Sequence, residues 1–278
     1  MTISENRSSK RVYALVLKLI AGRDFYAKDY SHGRLIHAAF LDIIRTIDPM
    51  LSERLHDLNQ RKPYTLSPIW SSQPQIRMGA EAYLRVCFLD VSIAELFVEQ
   101  FILASRNQTF SVGKTSFAIV DVLATPDQHP QAGALDITPP TQFFDVNRVE
   151  LNLLTPTAFS RKQGTKVAYE TSMTPRLVWH YARRIWESIG GESPGPAFDD
   201  WCEAHTAIES VNTKPRTVDF GRFKVKGVIG KLRYVLHAPL DDEMRLWWFQ
   251  FARFMPFSSL GYKTTMGMGQ CSTRFLDF

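Results

Sequence analysis

The chain has 278 residues, a length that suits one large domain or two domains of roughly 140 residues. Its hydrophobic fraction of 45% predicts a buried core and excludes a disordered chain, while a net charge of +5 permits a polyanionic partner without requiring one. The chain starts with polar residues and contains no apolar run of roughly 18 residues, which predicts a cytoplasmic protein with no membrane anchor. Its three cysteines are far apart in the sequence, which predicts neither a disulfide framework nor a cysteine metal site.

The first half of the chain alternates between strand and helix patterns. An apolar run over residues 12–21 predicts a central strand, and apolar side chains at helical spacing from Ile36 to Ile47 predict a helix over 29–47. The following segments are predicted as a short helix at 51–58, strands at 63–70 and 82–89, a helix at 91–105 and a strand or hairpin at 109–125. The order is strand, helix, strand, strand, helix, strand.

The second half shows the same order after a stretch rich in Pro, Gly, Gln and Asp at 126–142. This stretch predicts a linker, so we place one domain at 1–140 and a second at 141–278. The later segments are predicted as a strand at 146–154, helices at 175–189 and 198–208, two strands in 217–236 that turn near Gly227–Gly230, a helix at 241–254 and a strand at 270–278. The sequence therefore predicts an α+β fold of two tandem ferredoxin-like (βαββαβ) domains.

A glycine-rich loop, LGYKTTMGMG at residues 260–269, follows the last predicted helix. Glycine lets a backbone approach a ligand closely, free N–H groups in such a loop can hold an anion, and Lys263 adds a positive charge. The loop therefore predicts contact with a phosphate backbone.

Several other kinds of site are excluded by motif. Gly113-Lys114-Thr115 ends like an NTPase phosphate loop, but Gln108 stands where the first glycine of that motif belongs. The chain has no dinucleotide-binding glycine motif, no Gly-x-Ser-x-Gly nucleophile elbow and no ligand pair with zinc spacing. Neither a metal nor a cofactor is expected.

Six segments stand out along the chain: residues 33–41 (GRLIHAAFL), 54–57 (RLHD), 63–68 (PYTLSP), 154–159 (LTPTAF), 228–231 (VIGK) and the glycine-rich loop. In these segments and in their order, the chain resembles the CRISPR-associated endoribonucleases that cut precursor CRISPR RNA within its repeats, which belong to the repeat-associated mysterious protein (RAMP) superfamily. One departure is visible, because Ser259 occupies the position of the first glycine in the family's Gly-hydrophobic-Gly loop start.

The resemblance implies RNA cleavage without a metal ion. The substrate's own 2′-hydroxyl attacks the adjacent phosphorus and expels the 5′-oxygen, leaving a 2′,3′-cyclic phosphate and a 5′-hydroxyl end. Such a reaction needs a base, an acid and a cation, and relatives place suitable residues at positions matching His37, His56 and Lys62. By position alone, His37 also suits a surface histidine and His56 a helix-capping residue, and the roles of base and acid stay open.

The resemblance also implies an RNA-binding surface and partners. The residues expected to contact RNA are Arg34, Arg161, Lys162, Gly261, Lys263, Thr264, Thr265, Gly267 and Gly269. Basic residues that alternate over 222–233 suit either RNA contact or a solvated sheet face. The expected partners are the CRISPR repeat RNA, the mature CRISPR RNA (crRNA) and subunits of a CRISPR effector complex, with a homodimer left open. The alternative function is a crRNA-binding subunit that does not cut, and an unrelated α+β protein is a third reading.

Overall fold

A computed structural model describes residues 10–27, 30–56, 61–103, 108–141, 146–163, 166–240 and 242–276. The strands in these residues are β1 (Arg11–Ala21), β2 (Phe25–Tyr26), β3 (Tyr64–Leu66), β4 (Gln75–Ile76), β5 (Glu81–Phe88), β6 (Thr109–Val112), β7 (Thr115–Leu123), β8 (Gly133–Asp136), β9 (Arg148–Thr157), β10 (Phe159–Gln163), β11 (Lys166–Glu170), β12 (Thr206–Asp219), β13 (Lys224–Leu236) and β14 (Cys271–Leu276). The helices are α1 (Gly33–Ile47), α2 (Pro49–His56), α3 (Val91–Leu96), a π-helix (Phe97–Leu103), α4 (Pro175–Ser188), α5 (Ala197–His205), α6 (Glu243–Ser258) and a 3-10 turn (Thr264–Met266). None of these helices is long and apolar enough to cross a bilayer.

The first half builds an antiparallel sheet in the order β3-β5-β1-β7-β6, with β8 paired to the start of β1. β1 lies in the centre and buries side chains on both faces, which explains its nearly continuous apolar sequence. Residues of α1 such as Phe40 and Ile44 pack on one face of this sheet with Leu17 and Leu84. The order β7-β1-β5-β3 is the strand order of a ferredoxin-like unit.

The second half repeats this strand order in the sheet β12-β13-β9-β14. α4 and α6 pack together, and the stacked rings of Trp179 and Trp248 lie 4.9 Å apart in the core beneath them. Thr174 caps α4 by accepting a hydrogen bond from the Leu177 N–H, and Asp242 caps α6 in the same way from the Met244 N–H. The short hairpin β10–β11 lies outside this sheet and leads from β9 to α4. The predicted tandem ferredoxin-like fold is therefore confirmed.

The linker predicted over 126–142 contains a strand, so that prediction is wrong for residues 133–136. β8 pairs with residues 11–14 of β1, and Ile137 donates its N–H to the Lys10 carbonyl (2.7 Å). Leu135 and Ile137 are buried in the core of the second half. The composition suggested a loop because prolines flank this short strand on both sides and its first residue is Gly133. The division at residue 140/141 stays a prediction.

The turn predicted near Gly227–Gly230 lies elsewhere. β13 runs through these glycines, and the chain reverses instead at residues 220–223. A Cβ on Gly227 would lie 2.9 Å from the backbone of Thr157, and Gly230, at φ 125°, sits at a register shift against β9. Glycine in a strand can mark a bulge or a close backbone approach, and in β13 it marks both.

Candidate active site

A large cleft opens between the two halves of the chain. Its volume is about 1390 Å³, and its walls come from α1, the end of α2, the β10–β11 hairpin, α4 and the loop after α6. The predicted site residues that line it are Arg34, His37, His56, Lys62, Arg161, Gly261, Lys263, Thr264 and Thr265. The cleft therefore brings together residues that are more than 200 positions apart in the sequence.

Helix α1 sets the position of His37. Its buried face, which includes Ile36, Phe40 and Ile44, packs on the sheet, and His37 lies at the edge of this face, half-buried. Arg34 lies one turn earlier and donates to the carbonyl oxygen of Phe220 in the second half of the chain (3.2 Å). The helix thus presents an imidazole and a guanidinium to the same space, as their spacing of three residues predicts.

His37 is held neutral by its surroundings. Burial, followed by the positive charges of Lys62, His56 and Lys263 in that order, lowers its pKa to about 4. A hydrogen bond of 3.3 Å joins its Nδ1 to the hydroxyl of Tyr64, whose ring is fully buried against Phe40. Burial raises the pKa of Tyr64, so this group stays a phenol. Nδ1 is therefore engaged on the core side, and Nε2 is the ring nitrogen available to the cleft.

His56 and Lys62 approach the cleft from the other side of a short connection. His56 is the exposed last residue of α2, Lys62 is half-buried, and the residues between 56 and 61 lie outside the described part of the chain. Both residues line the cleft with His37. Arg61, which no sequence motif singled out, also lines the cleft, and its guanidinium lies 5.6 Å from the ring centre of Tyr181.

Lys263 is the cation that the glycine-rich loop contributes. It has a left-handed backbone (φ 58°), and its Nζ lies 4.9 Å from the ring centre of Tyr262 and 5.5 Å from that of Phe223. Burial lowers the pKa of Lys263, and the charge of Arg34 lowers it further. The loop therefore fixes an ammonium group between aromatic faces, beside the cations of the first half.

The three loop glycines allow the tight packing of the loop, and the backbone contact with RNA that the sequence predicted for them stays a prediction. All have positive φ, and a Cβ on Gly261 or Gly269 would lie 2.2 Å from Ala158 O or 1.9 Å from Leu260 O. A Cβ on Gly267 would press on Pro68 at 3.1 Å. Gly267 and Gly269 are buried and lie outside the cleft.

The loop's backbone N–H groups are also partly used within the protein. Tyr262 donates to Ala158 O (2.7 Å), Gly269 to Pro156 O (3.0 Å), and Met266 to Lys263 O (2.8 Å). The loop therefore contributes residues 261–266 to the cleft wall, with Lys263 as their cation.

Two basic residues were predicted on the β10–β11 hairpin, and the structure describes the side chain of one of them, Arg161. Arg161 is exposed, lines the cleft and lies 3.8 Å from the carboxylate of Glu170. The side chain of Lys162 lies outside the described part of the chain, although its backbone pairs with Val167. The hairpin therefore brings at least one exposed cation to the cleft wall.

The alternating basic residues of β13 are largely paired with carboxylates. Lys231 lies 3.3 Å from Glu150, Arg233 lies 3.3 Å from Glu209, and Arg274 of β14 lies 3.2 Å from Glu150. None of these residues lines the cleft. Of the two readings of this stretch, the geometry favours an ion-paired sheet face.

Tyr181 is a site residue that sequence reasoning missed. Its hydroxyl donates to the Gly261 carbonyl (2.6 Å), and burial raises its pKa to about 12. It follows His180 on α4 and falls among the apolar residues of that helix, so the pattern alone indicates a core residue. Only the folded position of the loop shows that its hydroxyl anchors the loop at the cleft.

Comparison with known proteins adds two sequence matches. Residues 11–138 match the family described as CRISPR Cas6 N-terminal domain, and residues 151–271 match CRISPR-associated endoribonuclease Cas6. No curated protein matches the chain significantly.

Solved structures match over nearly the whole chain. The product complex of Cas6 (TTHB231) has a TM-score of 0.77 at 24% identity, covering 96% of this chain and 100% of that one. The product complex of Cas6 (TTHA0078) has a TM-score of 0.72 at 22% identity, covering 95% and 99%. A second structure of Thermus thermophilus Cas6 (TTHB231) has a TM-score of 0.69 at 24% identity, covering 95% and 98%. At these identities the structures establish a shared fold.

Proposed function

The chain belongs to the Cas6 family of CRISPR-associated endoribonucleases, and from this premise we propose that the cleft between its halves cuts precursor CRISPR RNA within the repeat, without a metal ion. The observation that carries the proposal is the meeting in one cleft of His37, a histidine whose pKa is lowered by burial, with His56, Lys62 and Lys263. A base without a proton and a set of fixed cations are what cleavage by a ribose hydroxyl requires. RNA supplies that hydroxyl and DNA does not.

His37 acts as the general base in this proposal. With a pKa near 4 in the free protein, its imidazole is unprotonated at neutral pH, and Nε2 can take the proton of the 2′-hydroxyl. The 2′-oxygen then forms a bond to phosphorus, and the bond between phosphorus and the 5′-oxygen breaks. Binding of the phosphate replaces water with negative charge beside His37, which favours the imidazolium that the step produces.

His56 acts as the general acid, and the lysines stabilise the phosphorane. His56 is exposed at the end of α2, where it can deliver a proton to the departing 5′-oxygen. Lys62 and Lys263 lie near His37 from different halves of the chain and can bind the non-bridging oxygens, whose charge grows in the transition state. The products are a 2′,3′-cyclic phosphate and a 5′-hydroxyl end.

The RNA strand runs along the cleft between the two halves. Arg34 and Arg161 contact phosphates on either wall, and Thr264 and Thr265 offer hydroxyls beside Lys263. Structures of similar proteins include product complexes, which supports RNA as the ligand of this cleft. Lys162 is a further RNA-binding residue on the same hairpin as Arg161. A protein that keeps hold of the crRNA after the cut would enter a CRISPR effector complex with it. We place this activity in the cytoplasm, and a homodimer stays open.

A cleavage assay under single-turnover conditions tests the proposal. The purified protein is mixed with its repeat RNA in EDTA, beside the same RNA with a 2′-deoxy sugar at the cut site. We expect cleavage of the all-ribose RNA, none of the deoxy RNA, and loss of roughly 10²–10⁴ in rate for His37→Ala and for His56→Ala. His237→Ala, at an exposed histidine outside the cleft, is the control and should cut at the wild-type rate.

Three outcomes would count against this assignment. Tight binding of the all-ribose RNA with no cleavage would mark a crRNA-binding subunit that does not cut. Full activity of both histidine variants would move the catalytic site elsewhere in the protein. Activity that requires an added divalent ion would replace the proposed mechanism.

A further inference from the structure

A histidine on the second-half wall of the cleft is fixed by a buried ion pair. His180 of α4 lies with its Nδ1 2.6 Å from Asp199 of α5, and its side chain is 46% exposed. Asp199 also accepts two hydrogen bonds from Arg183, from Nε (2.9 Å) and Nη2 (2.7 Å). The side chains of Arg183 and Asp199 are 3% and 8% exposed, so the histidine is the solvent-facing member of this group.

The ion pair does not depend on His180. Arg183 holds Asp199 through two parallel bonds and reaches Glu187 with Nη1 (2.5 Å), and Glu187 accepts a further bond from Ser193 (2.6 Å). Burial raises the pKa of Asp199, but the hydrogen bonds and charge of Arg183, with a further contribution from His180, outweigh burial and lower it. A role confined to stability would be complete with these residues.

The carboxylate decides which nitrogen of His180 carries hydrogen. An ionised carboxylate can only accept, so Nδ1 must be the donor in the 2.6 Å contact. Arg183 Nη2 lies 3.4 Å from the same Nδ1 and donates to Asp199 instead. In the neutral imidazole, Nε2 is then left with a free lone pair, and His180 presents it to the cleft as a hydrogen-bond acceptor.

The neighbouring charged groups on this wall are already paired. Arg176, one turn before His180, binds Asp200 and lies 2.9 Å from Glu203, and both Arg176 and Glu203 line the cleft. His37 lies on α1 in the first half of the chain and His180 on α4 in the second half, so the two imidazoles enter the cleft from different walls. A carboxylate-rich wall with one oriented acceptor suits a hydroxyl donor better than a phosphate oxygen.

We propose that His180 Nε2 accepts a hydrogen bond from the 2′-hydroxyl of a nucleotide away from the cut site, with Asp199 as its positioning residue. The inference rests on the proposed function, because it takes the RNA to lie along this cleft. The protein would then recognise RNA through two 2′-hydroxyl groups: the one that attacks the phosphorus at the cut site, and a second one that is bound by His180. Arg183 acts through Asp199 and does not touch the RNA.

A binding cycle with single 2′-deoxy substitutions tests this contact. The probe is the repeat RNA made uncleavable by a 2′-deoxy at the cut site, with one further 2′-deoxy placed at each flanking nucleotide in turn, and Kd is measured by fluorescence anisotropy. In the wild-type protein we expect one flanking position to weaken binding about fivefold, the effect of one hydrogen bond. In His180→Asn, which keeps an amide donor for Asp199 but lacks Nε2, the undisturbed probe should bind about fivefold more weakly, and that position should have no further effect.

The controls separate this inference from the proposed function. His237→Asn changes an exposed histidine outside the cleft and should leave every Kd unchanged. His180→Ala repeats the cycle if the asparagine variant melts at a lower temperature than the wild type. Equal losses at every position in wild type and variant would overturn the His180 contact while cleavage of all-ribose RNA still stood. Failure of the wild type to cut would instead count against the proposed function.

Discussion

At the scale of single residues, the neutral state of His37 has a direct kinetic consequence. The pKa of this group in the free protein lies near 4, below the ordinary value near 6.5, because of burial and nearby cations. The profile of kcat/KM against pH reports the ionisation of free enzyme. We therefore predict that the acid limb of this profile falls below about pH 5 and not near pH 6.5. An acid limb centred near pH 6.5 would show that another group is the base.

The same shift links the free energy of unfolding to pH. Between pH 6.5 and 4 an unfolded histidine binds a proton that folded His37 does not, so protonation favours the unfolded chain as pH falls through this window. We predict that the free energy of unfolding in urea drops less between pH 7.5 and 5 in His37→Asn than in the wild type. His237→Asn, at an exposed position, serves as the reference. Equal drops in wild type and His37→Asn would contradict the burial of a neutral imidazole.

Ser259 shows how a residue can hold a conformation that suits glycine. Its φ of 54° and ψ of 177° lie in a region that side chains disfavour. Its hydroxyl donates to Thr65 (3.1 Å) and accepts from the Gln270 amide (2.8 Å), and both contacts are buried. These bonds offset the strain that the family's usual glycine would avoid.

Substitutions at Ser259 separate the two effects. Ser259→Ala keeps the strain and loses both hydrogen bonds, so we predict a loss of about 2 kcal/mol in the free energy of unfolding. Ser259→Gly loses the same bonds but relieves strain of about 1–3 kcal/mol, so its stability should stay within about 1 kcal/mol of the wild type. Urea unfolding of the three proteins measures both. A glycine variant less stable than the alanine variant would contradict this account.

At the scale of elements, the contact between α1 and the glycine-rich loop fixes the geometry of the cleft. A Cβ on Gly33, the first residue of α1, would lie 1.9 Å from the carbonyl oxygen of Met266. This close approach brings the helix that carries His37 against the loop that carries Lys263. Glycine at this position is required by the neighbouring backbone, which cannot yield as a side chain can.

We predict that Gly33→Ala separates α1 from the loop and slows RNA cleavage at least tenfold, because displacement of about 1 Å at a reacting group can cost a hundredfold in rate. The measurement is single-turnover cleavage at a temperature where the variant is folded. Gly79→Ala is the matched control: it carries positive φ (78°) with no neighbouring atom within 4 Å, so it can lose stability without moving the cleft. Equal rates for the two variants would contradict a positioning role for Gly33.

The elements that sequence patterns predicted are those whose burial repeats at a fixed period. β1 and α1 were predicted within a few residues, because one buries both faces and the other a single stripe. β8 was missed because a four-residue strand between turn residues has no period to detect. The glycines of β13 were assigned to a turn because glycine is found both where the chain reverses and where one strand approaches another closely, as β13 approaches β9.

The residues of the candidate site also divide into those that local sequence reveals and those that only the fold reveals. The resemblance supplied His37, His56 and Lys62 as local motifs on α1 and around α2. Tyr181 and His180 could not be found in this way, because their roles arise where α4 meets the loop and α5, contacts that join distant parts of the chain. Tyr64 likewise sits in a buried strand and gives no sign in sequence that its hydroxyl meets His37.

At the scale of the whole molecule, a buried polar chain joins the two halves behind the cleft. Arg85 of β5 is 4% exposed and donates to Gln131 O (2.7 Å), Pro256 O (2.8 Å) and the side-chain oxygen of Gln270 (3.2 Å). Gln270 continues the chain by donating to Ser259 and to Leu66 O (3.2 Å). One guanidinium therefore ties the first sheet to α6 and to the residue before β14.

The cleft exists only while the halves keep this relative position, so the loss of Arg85 should affect both stability and RNA binding. Arg85→Met fills similar space but removes the guanidinium from one buried and two part-buried acceptors, and we predict a loss of about 2–4 kcal/mol in the free energy of unfolding. Arg77→Met removes a single exposed ion pair with Asp24 (3.0 Å) and should cost less than about 1 kcal/mol. Urea unfolding of both variants measures the difference, and repeat-RNA affinity below the melting range shows whether the cleft is disturbed. If Arg85→Met matched Arg77→Met in both measurements, the polar chain would not hold the two halves in place, and the apolar contacts around Leu135 and Ile137 would have to do so alone.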